Sequence, residues 1–380
     1  MSAAAGSGPT ASEFTDADRG AMARALELAA RGLYTTDPNP RVGCVLTTGR
    51  RTIGEGWHER AGGPHAEVMA LAAAGEAARG ATAYVTLEPC AHHGRTPPCA
   101  DALIEAGVRR VIFALQDPDP RVNGQGAQRL RQAGIEVAGG LLAEQSIELN
   151  PGFVQRLRTG RPFVRLKLAM SLDGRTALAS GASQWITGEA SRADVQRWRA
   201  RSSAVLTGIG TVLADDPRLT VRDAAGDCAH HQPLRVVLDA GLRTPPEARL
   251  LHEPGAVWIL AGAAAAARAV ALEASGARVE LLPVRDGHVD LVEVLAQLGQ
   301  AQVNELLVEA GPTLAGELVR QELIDEWLLY VAPVVLGPQA RPLLSLPALE
   351  QLQNARRLRI VDTHILGADV RLRLRPTARP

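Results

Sequence analysis

The pattern that most restricts the fold is an alternation of short apolar runs with longer helical windows, which occurs twice with one interruption. Thr15 and Asp18 have capping-box spacing, and Met22, Leu26 and Ala29 fall on one face of the helix that follows. Val42 to Trp57 reads as two short strands joined by Thr48-Gly49-Arg50. A helix starts near Pro64, Tyr84 to Leu87 reads as a buried strand, Cys99 opens another helix, and Val111 to Leu115 is again a strand. Such alternation dictates layered α/β domains, because each strand and helix must bury a face against the other. Residues 144–161 break the pattern: they are largely polar and contain Pro151, Gly152 and Gly160, the composition of a linker. Phe163 to Ala169 then opens a second alternation. Further strands are expected at Val205 and Leu206, Arg235 to Leu238, Ala256 to Leu260, Arg278 to Leu282, Glu305 to Val308 and Trp327 to Val331. No internal repeat relates the halves. The expected organisation is a disordered arm over 1–14, a first domain over 15–150, a linker over 151–162 and a different second domain over 163–380; a length of 380 residues supports two cores.

Composition narrows the class. The 41 Lys and Arg balance the 41 Asp and Glu, so a nucleic-acid binder relying on bulk positive charge is not expected. Four cysteines, Cys44, Cys90, Cys99 and Cys228, are too sparse for a disulfide framework and suit a reducing compartment. Residues 1–12 have neither a basic n-region nor an apolar run, and no uncharged apolar stretch reaches membrane-spanning length. A cytoplasmic location without membrane contact is expected.

The sharpest chemical signal is Pro64-His65-Ala66-Glu67, followed by Pro89-Cys90 and Pro98-Cys99. One imidazole and two thiolates make three protein ligands, and a catalytic zinc keeps its fourth tetrahedral position for water. Zinc lowers the pKa of that water to about 7, and a nearby carboxylate must then move protons. Glu67 lies two residues past His65 on the same first helical turn. Cys99 lies at an expected helix start, where thiolate is favoured. Taken singly, each element is common; the ordered set with both Pro-Cys junctions is not. His92 and His93 stand between the cysteines, either as further ligands that would close the site or as part of a loop that recognises substrate. In that loop Arg95 is either a fixed cation for a phosphate or carbonyl oxygen, or a solvated charge.

The H-x-E … P-C … C arrangement resembles the zinc deaminases of nucleobases. It departs from them in placing eight residues, Ala91 to Pro98, between the cysteines. With that insertion, Cys90-Ala91-His92-His93-Gly94-Arg95-Thr96-Pro97-Pro98-Cys99 resembles the deaminase half of the bifunctional RibD family of riboflavin biosynthesis. Asn39, Pro40 and Gly43 match the family's NPxVG element, and Asp117 with Asn123-Gly124 match a later loop. The resemblance implies a cytidine-deaminase-like three-layer domain with one zinc on His65, Cys90 and Cys99, Glu67 as the catalytic proton carrier, and Asn39, Arg95 and Asn123 on the substrate. That substrate is 2,5-diamino-6-(5-phosphoribosylamino)pyrimidin-4(3H)-one.

In the second half, Lys167 to Arg175, Ser183 to Thr187, Thr211 to Arg222 and Val308 to Glu317 together resemble the reductase domain of the same family. Alone, Gly311 between a strand and a helix is a weak phosphate-binding signal and lacks the G-x-G-x-x-G fingerprint. The resemblance implies a dihydrofolate-reductase-like α/β fold that uses NADPH to reduce the ribose of 5-amino-6-(5-phosphoribosylamino)uracil to a ribityl chain. By matching positions, Ala169, Trp185, Thr211, Asp215, Gly311, Pro312, Thr313, Leu314, Ala315, Gly316 and Glu317 fall to the cofactor. Ser183, Arg199, Leu219, Arg222 and Glu309 fall to the substrate, with Arg199 and Arg222 suited to bidentate binding of the 5′-phosphate and Glu309 to ribose hydroxyls. Lys167 and Asp173 suggest substrate polarisation or proton delivery, or else a structural salt bridge; Trp185 is a cofactor contact or core packing. Cys228, His230 and His231 read as a surface loop. The family suggests a homo-oligomer acting on a phosphorylated pyrimidine. The competing readings are a nucleoside or tRNA deaminase fused to an unrelated module, and a non-catalytic protein with a structural zinc.

Overall fold

The computed structural model describes residues 14–91, 97–120, 122–229 and 231–377, and divides into two compact units with the boundary between Thr159 and Gly160. The first contains α1 (Asp16–Ala30), β1 (Gly43–Thr48), β2 (Arg51–Trp57), α2 (Ala66–Ala74), β3 (Thr82–Leu87), α3 (Cys99–Glu105), β4 (Arg110–Leu115), α4 (Gln125–Gln132), β5 (Glu136–Gly139), α5 (Ala143–Leu149) and α6 (Pro151–Thr159). Its sheet runs β2-β1-β3-β4-β5, with β1 antiparallel to both neighbours and β3, β4 and β5 parallel. Successive strand residues face opposite sides, as the pleat requires. Val45, Tyr84 and Ile112 pack with Met22 and Leu28 of α1, whereas Leu46, Val85 and Val111 pack with Ala66, Ala70 and Leu103 of α2 and α3. Three layers result.

The capping box forms as the sequence indicates: the Thr15 N–H donates to Asp18 Oδ2 (2.9 Å), and the Asp18 N–H donates to Thr15 Oγ1 (3.1 Å). Phe14, assigned above to the arm, is instead buried against this α1 core; residues 1–13 of the arm lie outside the described residues. The proposed linker also differs. Residues 151–159 form α6, with Pro151 at its first position where a missing N–H costs nothing. The polar character that suggested a linker comes from buried pins: Ser146 Oγ donates to the Thr86 carbonyl (2.7 Å), while Asn150 accepts from the Arg41 N–H (2.8 Å) and donates to its carbonyl (2.9 Å).

Close helix–sheet contact depends on Gly43, where a Cβ would meet the Ala25 carbonyl oxygen at 2.0 Å and the Ala29 nitrogen at 2.8 Å, both α1 backbone. Gly43→Ala is therefore expected to destabilise the first unit by about 1–3 kcal/mol, seen as a lower urea midpoint. An unchanged midpoint contradicts this packing.

The second unit contains β6 (Phe163–Ser171), β7 (Arg175–Ala177), α7 (Glu189–Arg201), β8 (Ala204–Gly208), α8 (Ile209–Asp215), β9 (Leu234–Leu238), α9 (Arg249–His252), β10 (Val257–Gly262), α10 (Ala269–Ala274), β11 (Arg278–Leu282), β12 (Val284–Arg285), β13 (His288–Val289), α11 (Leu291–Gln300), β14 (Glu305–Glu309), α12 (Pro312–Arg320), β15 (Glu326–Ala332), β16 (Arg341–Pro342), β17 (Leu358–Leu366) and β18 (Asp369–Pro376). The main sheet runs β11-β10-β9-β8-β14-β6-β15-β18-β17, parallel through β15 and antiparallel at β18 and β17. Every strand candidate named above is present. The β17–β18 hairpin was not among them. One face carries an apolar core that includes Leu166, Leu206, Val236, Leu306 and Leu318. The other face ties down α7: fully buried Arg165 pairs with Glu305 (2.8 Å) and Glu326 (2.7 Å), Arg201 pairs with Glu305 (3.0 Å), and the Arg165 guanidinium lies 4.7 Å from the Trp198 ring centroid. Among the described residues, no helix is long and apolar enough to cross a membrane.

Candidate active sites

In the first unit, three element ends converge. His65 is the N-cap of α2, Cys90 follows β3, and Cys99 is the first residue of α3, just after Pro98. Their ligand atoms lie within 4.8 Å of one another. His65 Nδ1 is 3.1 Å from Cys99 Sγ and 3.7 Å from Cys90 Sγ, and the Cys99 N–H donates to Cys90 Sγ (3.3 Å). Hydrogen bonding from the Cys99 thiol pulls Cys90 down to about 4, and the same contact pushes Cys99 far up, so the two sulfurs share one proton. A dication placed among the three ligands replaces that proton and lets both sulfurs ionise, which is the chemistry of a zinc site. The ligand set therefore fits zinc.

Glu67 occupies the second position of α2 and is 3% exposed. Burial pushes its carboxyl up to about 7, against the opposing influence of His65. Its Oε2 has no hydrogen-bond partner among the described residues. A buried, unmatched carboxylate oxygen beside a metal site is costly unless it has a reactive partner. Asn39 is half-buried and its Nδ2 lies 3.1 Å from His58 Nε2, while His58 Nδ1 lies 2.9 Å from the Pro64 carbonyl oxygen. The carbonyl requires a proton on Nδ1, which leaves Nε2 to accept from the Asn39 amide. His58, whose pKa burial lowers, thus links the Asn39 amide to the residue before His65. Sequence reasoning passed over it, because a single His after a strand carries no pattern. Asn123 is exposed, and its Oδ1 accepts from Gln116 Nε2 (2.6 Å). Arg95, His92 and His93 lie outside the described residues.

The second unit holds a cavity of about 1800 Å³ at the carboxyl ends of β6, β8, β9 and β14. Open α/β sheets bind ligands at this end. Of the residues assigned to the cofactor, Ala169, Trp185, Thr211, Asp215, Gly311, Pro312, Thr313, Leu314 and Glu317 line it. Ala315 and Gly316 do not. Ala315 is fully buried, and a Cβ on Gly316 would meet the Ser345 carbonyl oxygen at 2.2 Å, because the 3.6-residue period turns both away from the cavity. Gly311 caps α12 without a side-chain hydrogen bond and Pro312 follows, so the N–H groups of Thr313 and Leu314 have no acceptor within the helix. They suit a pyrophosphate, and the cavity has room for a dinucleotide. Trp185 is 69% exposed with the Arg192 guanidinium 4.7 Å from its ring centroid, which excludes core packing.

All five residues assigned to the sugar phosphate, together with Lys167, also line the cavity. Arg199, expected to grip phosphate, is instead committed to protein: it donates to both oxygens of Glu309 (2.6 and 3.0 Å) and to the Thr220 carbonyl (2.9 Å). The pair holds Glu309 ionised, its pKa lowered by Arg199 against the opposing effect of burial. Arg222 is different. Its Nε has no partner among the described residues, and burial with nearby Arg199 and Arg218 lowers its pKa, the signature of a site short of negative charge. Lys167 Nζ lies 3.9 Å from Glu309 Oε2, and burial lowers its pKa. Asp173 does not line the cavity: it accepts from Ser171 Oγ (2.5 Å) and from the Leu336 and Gly337 N–H groups (3.1 and 2.8 Å), pinning a loop. These bonds hold it down at about 2, which removes it as a proton donor. Arg243, Arg249 and Arg285 also line the cavity, and nothing in their sequence context marks them.

Residues 162–372 match the family model of the RibD C-terminal domain, and residues 15–115 match that of the cytidine and deoxycytidylate deaminase zinc-binding region. The chain is 52% identical over 363 residues to the riboflavin biosynthesis protein RibD of Escherichia coli (strain K12), covering 93% of this chain and 98% of that protein. It is 48% identical over 373 residues to the Haemophilus influenzae protein of the same name, covering 96% and 99%. Among solved structures, Acinetobacter baumannii RibD in form 1 matches with a TM-score of 0.89 and 48% identity, over 95% of this chain and 99% of that one. The Thermotoga maritima diaminohydroxyphosphoribosylaminopyrimidine deaminase/5-amino-6-(5-phosphoribosylamino)uracil reductase matches with a TM-score of 0.80 and 34% identity, over 95% and 99%. The RibD C-terminal match rules out a deaminase fused to an unrelated module.

Proposed function

The chain belongs to the RibD family and is a bifunctional deaminase and reductase of riboflavin biosynthesis with zinc and NADPH as cofactors, and from that premise we propose which of its residues carry each step. The deaminase substrate is 2,5-diamino-6-(5-phosphoribosylamino)pyrimidin-4(3H)-one, and the reductase substrate is 5-amino-6-(5-phosphoribosylamino)uracil; the support is the pair of activities for which the Thermotoga maritima relative is named. Zinc supplies a water activated at neutral pH, and NADPH supplies the hydride.

His65, Cys90 and Cys99 hold the zinc. Glu67 takes one proton of the attacking water on its unpartnered Oε2 and passes it to the ring nitrogen, which keeps it, and then carries the remaining hydroxyl proton to the departing amine; that unpartnered oxygen, two residues past His65 on the first turn of α2, carries the reading. Asn39, Asn123 and Arg95 bind the pyrimidine and its sugar phosphate. In the reductase, the first turn of α12 and the walls formed by Ala169, Trp185, Thr211 and Asp215 seat the dinucleotide. Arg222 binds the 5′-phosphate, Ser183 and Leu219 line the sugar, and Glu309, fixed by Arg199, accepts from ribose hydroxyls. Hydride addition at the sugar carbon leaves a heteroatom that takes up a proton, which Lys167 delivers.

Arg222→Ala is expected to raise the reductase KM about 10- to 100-fold, the loss of charge-assisted hydrogen bonds to phosphate, with deamination unaffected. Equal loss of both activities contradicts this assignment. The enzyme is further read as cytoplasmic, self-associating and without a nucleic-acid partner. Four unpaired cysteines and a formal charge of zero support the first and last points, and family resemblance supports the second. Light scattering on the purified chain tests self-association; a monomer at assay concentration contradicts it.

A further inference from the structure

One buried charged side chain of the deaminase unit has no part in the steps above. Glu88 is 4% exposed and stands between β3 and Pro89-Cys90. Its carboxylate accepts three backbone N–H groups: Oε2 from Asp117 (3.2 Å) and Gly124 (3.0 Å), and Oε1 from Ala127 (3.0 Å). Gly124 is the N-cap of α4, with φ 79° and no side chain to cap the helix it begins, and Ala127 is the third helical residue. The cap is therefore supplied from another strand, 36 residues upstream. The approach is close: a Cβ on Gly126 would meet the Pro89 carbonyl oxygen at 1.8 Å. On its far side, Cys90 accepts at its carbonyl from the Ala100 N–H of α3 (3.1 Å). Glu88-Pro89-Cys90 is thus held between two helix starts, one bearing the ligand Cys99 and the other preceded by Asn123.

We propose that Glu88 is a positioning residue of the deaminase site, its carboxylate docking the Asn123-bearing turn onto the strand end that carries Cys90. The role rests on the reading of Asn123 as a pocket residue. Glu88 touches neither metal nor substrate. It fixes the distance between the ligand and the turn that meets the pyrimidine. A glutamine has the same shape, but its amide must present N–H to at least one of the three N–H donors, so that bond becomes a repulsion.

The test uses the full-length, zinc-loaded enzyme. In Glu88→Gln, amide exchange at Gly124 and Ala127 is expected to speed up, and the deaminase KM to rise, each about tenfold, the range for residues that orient metal sites from behind. Zinc content, deaminase kcat and both reductase constants stay close to wild type. Glu88→Asp, which keeps both acceptors one methylene shorter, falls in between. Added to Asn123→Ala, Glu88→Gln raises KM by less than about threefold, because the contact it protects is already gone. Unchanged exchange, a KM effect undiminished in the Asn123→Ala background, or zinc loss that tracks activity each overturns the proposal. Asn123→Ala with a wild-type KM overturns the pocket reading on which it rests, and is distinguishable because exchange in Glu88→Gln still rises.

Discussion

Glu67→Gln is expected to keep its zinc and to lose deamination by about 10³-fold, within the range for removal of a positioned acid–base group. The substitution is isosteric, and the wild-type Oε2 has no hydrogen-bond partner among the described residues, so packing loses little. What it loses is proton transfer. A glutamine amide cannot accept the water's protons and deliver one to the ring and the other to the leaving amine. Reductase rates are expected to be unchanged, since the cavity of the second unit is lined by none of the residues around Glu67. Elemental analysis with separate assays of the two steps checks this. Deamination within tenfold of wild type contradicts the role, and loss of zinc assigns the defect to the ligands instead.

Cys99→Ser is expected to weaken zinc binding by about 100-fold: one of three ligands carries roughly a third of about 10–16 kcal/mol, and the serine hydroxyl restores part of that loss. Cys99 is fully buried at the start of α3 and 3.1 Å from His65 Nδ1, so serine keeps the shape while replacing a soft, ionisable ligand with a weak one. Deamination falls with metal content and reduction persists. Full zinc content after dialysis against a chelator contradicts Cys99 as a ligand.

Much of this was legible in the chain. The clustering of His65, Cys90 and Cys99 beside Glu67 was readable because metal chemistry favours a fixed set of residue types, and because Pro-Cys junctions and the helix after Pro64 mark where the backbone turns. Apolar runs located the central parallel strands such as β3, β4, β8 and β14, which are buried on both faces, but not the partly exposed edge strand β5. The C-terminal hairpin escaped because Arg371, Arg373 and Arg375 of β18 occupy positions where a core strand carries apolar residues; buried carboxylates of Asp194 and Glu326 neutralise them. The α5–α6 segment escaped for a related reason, its buried Ser146 and Asn150 reading as solvent-facing polarity. Within the sites, position was readable and partnership was not. Arg199 and Arg222 look equivalent in sequence, yet one is committed to Glu309 and the other faces the cavity with Nε unsatisfied. Ala315 and Gly316 belong to the right helix, α12, but lie on the side of it away from the cavity.

The central claim is that two successive reactions occur at two separate sites, deamination first. Product analysis of the purified enzyme with the diaminopyrimidine substrate, with and without NADPH, tests it most directly. Without NADPH the deaminated ribosylamino compound should accumulate with release of one ammonia, and addition of NADPH should convert it to the ribityl product. Deamination that requires NADPH, or a ribityl product that still carries both ring amino groups, contradicts it.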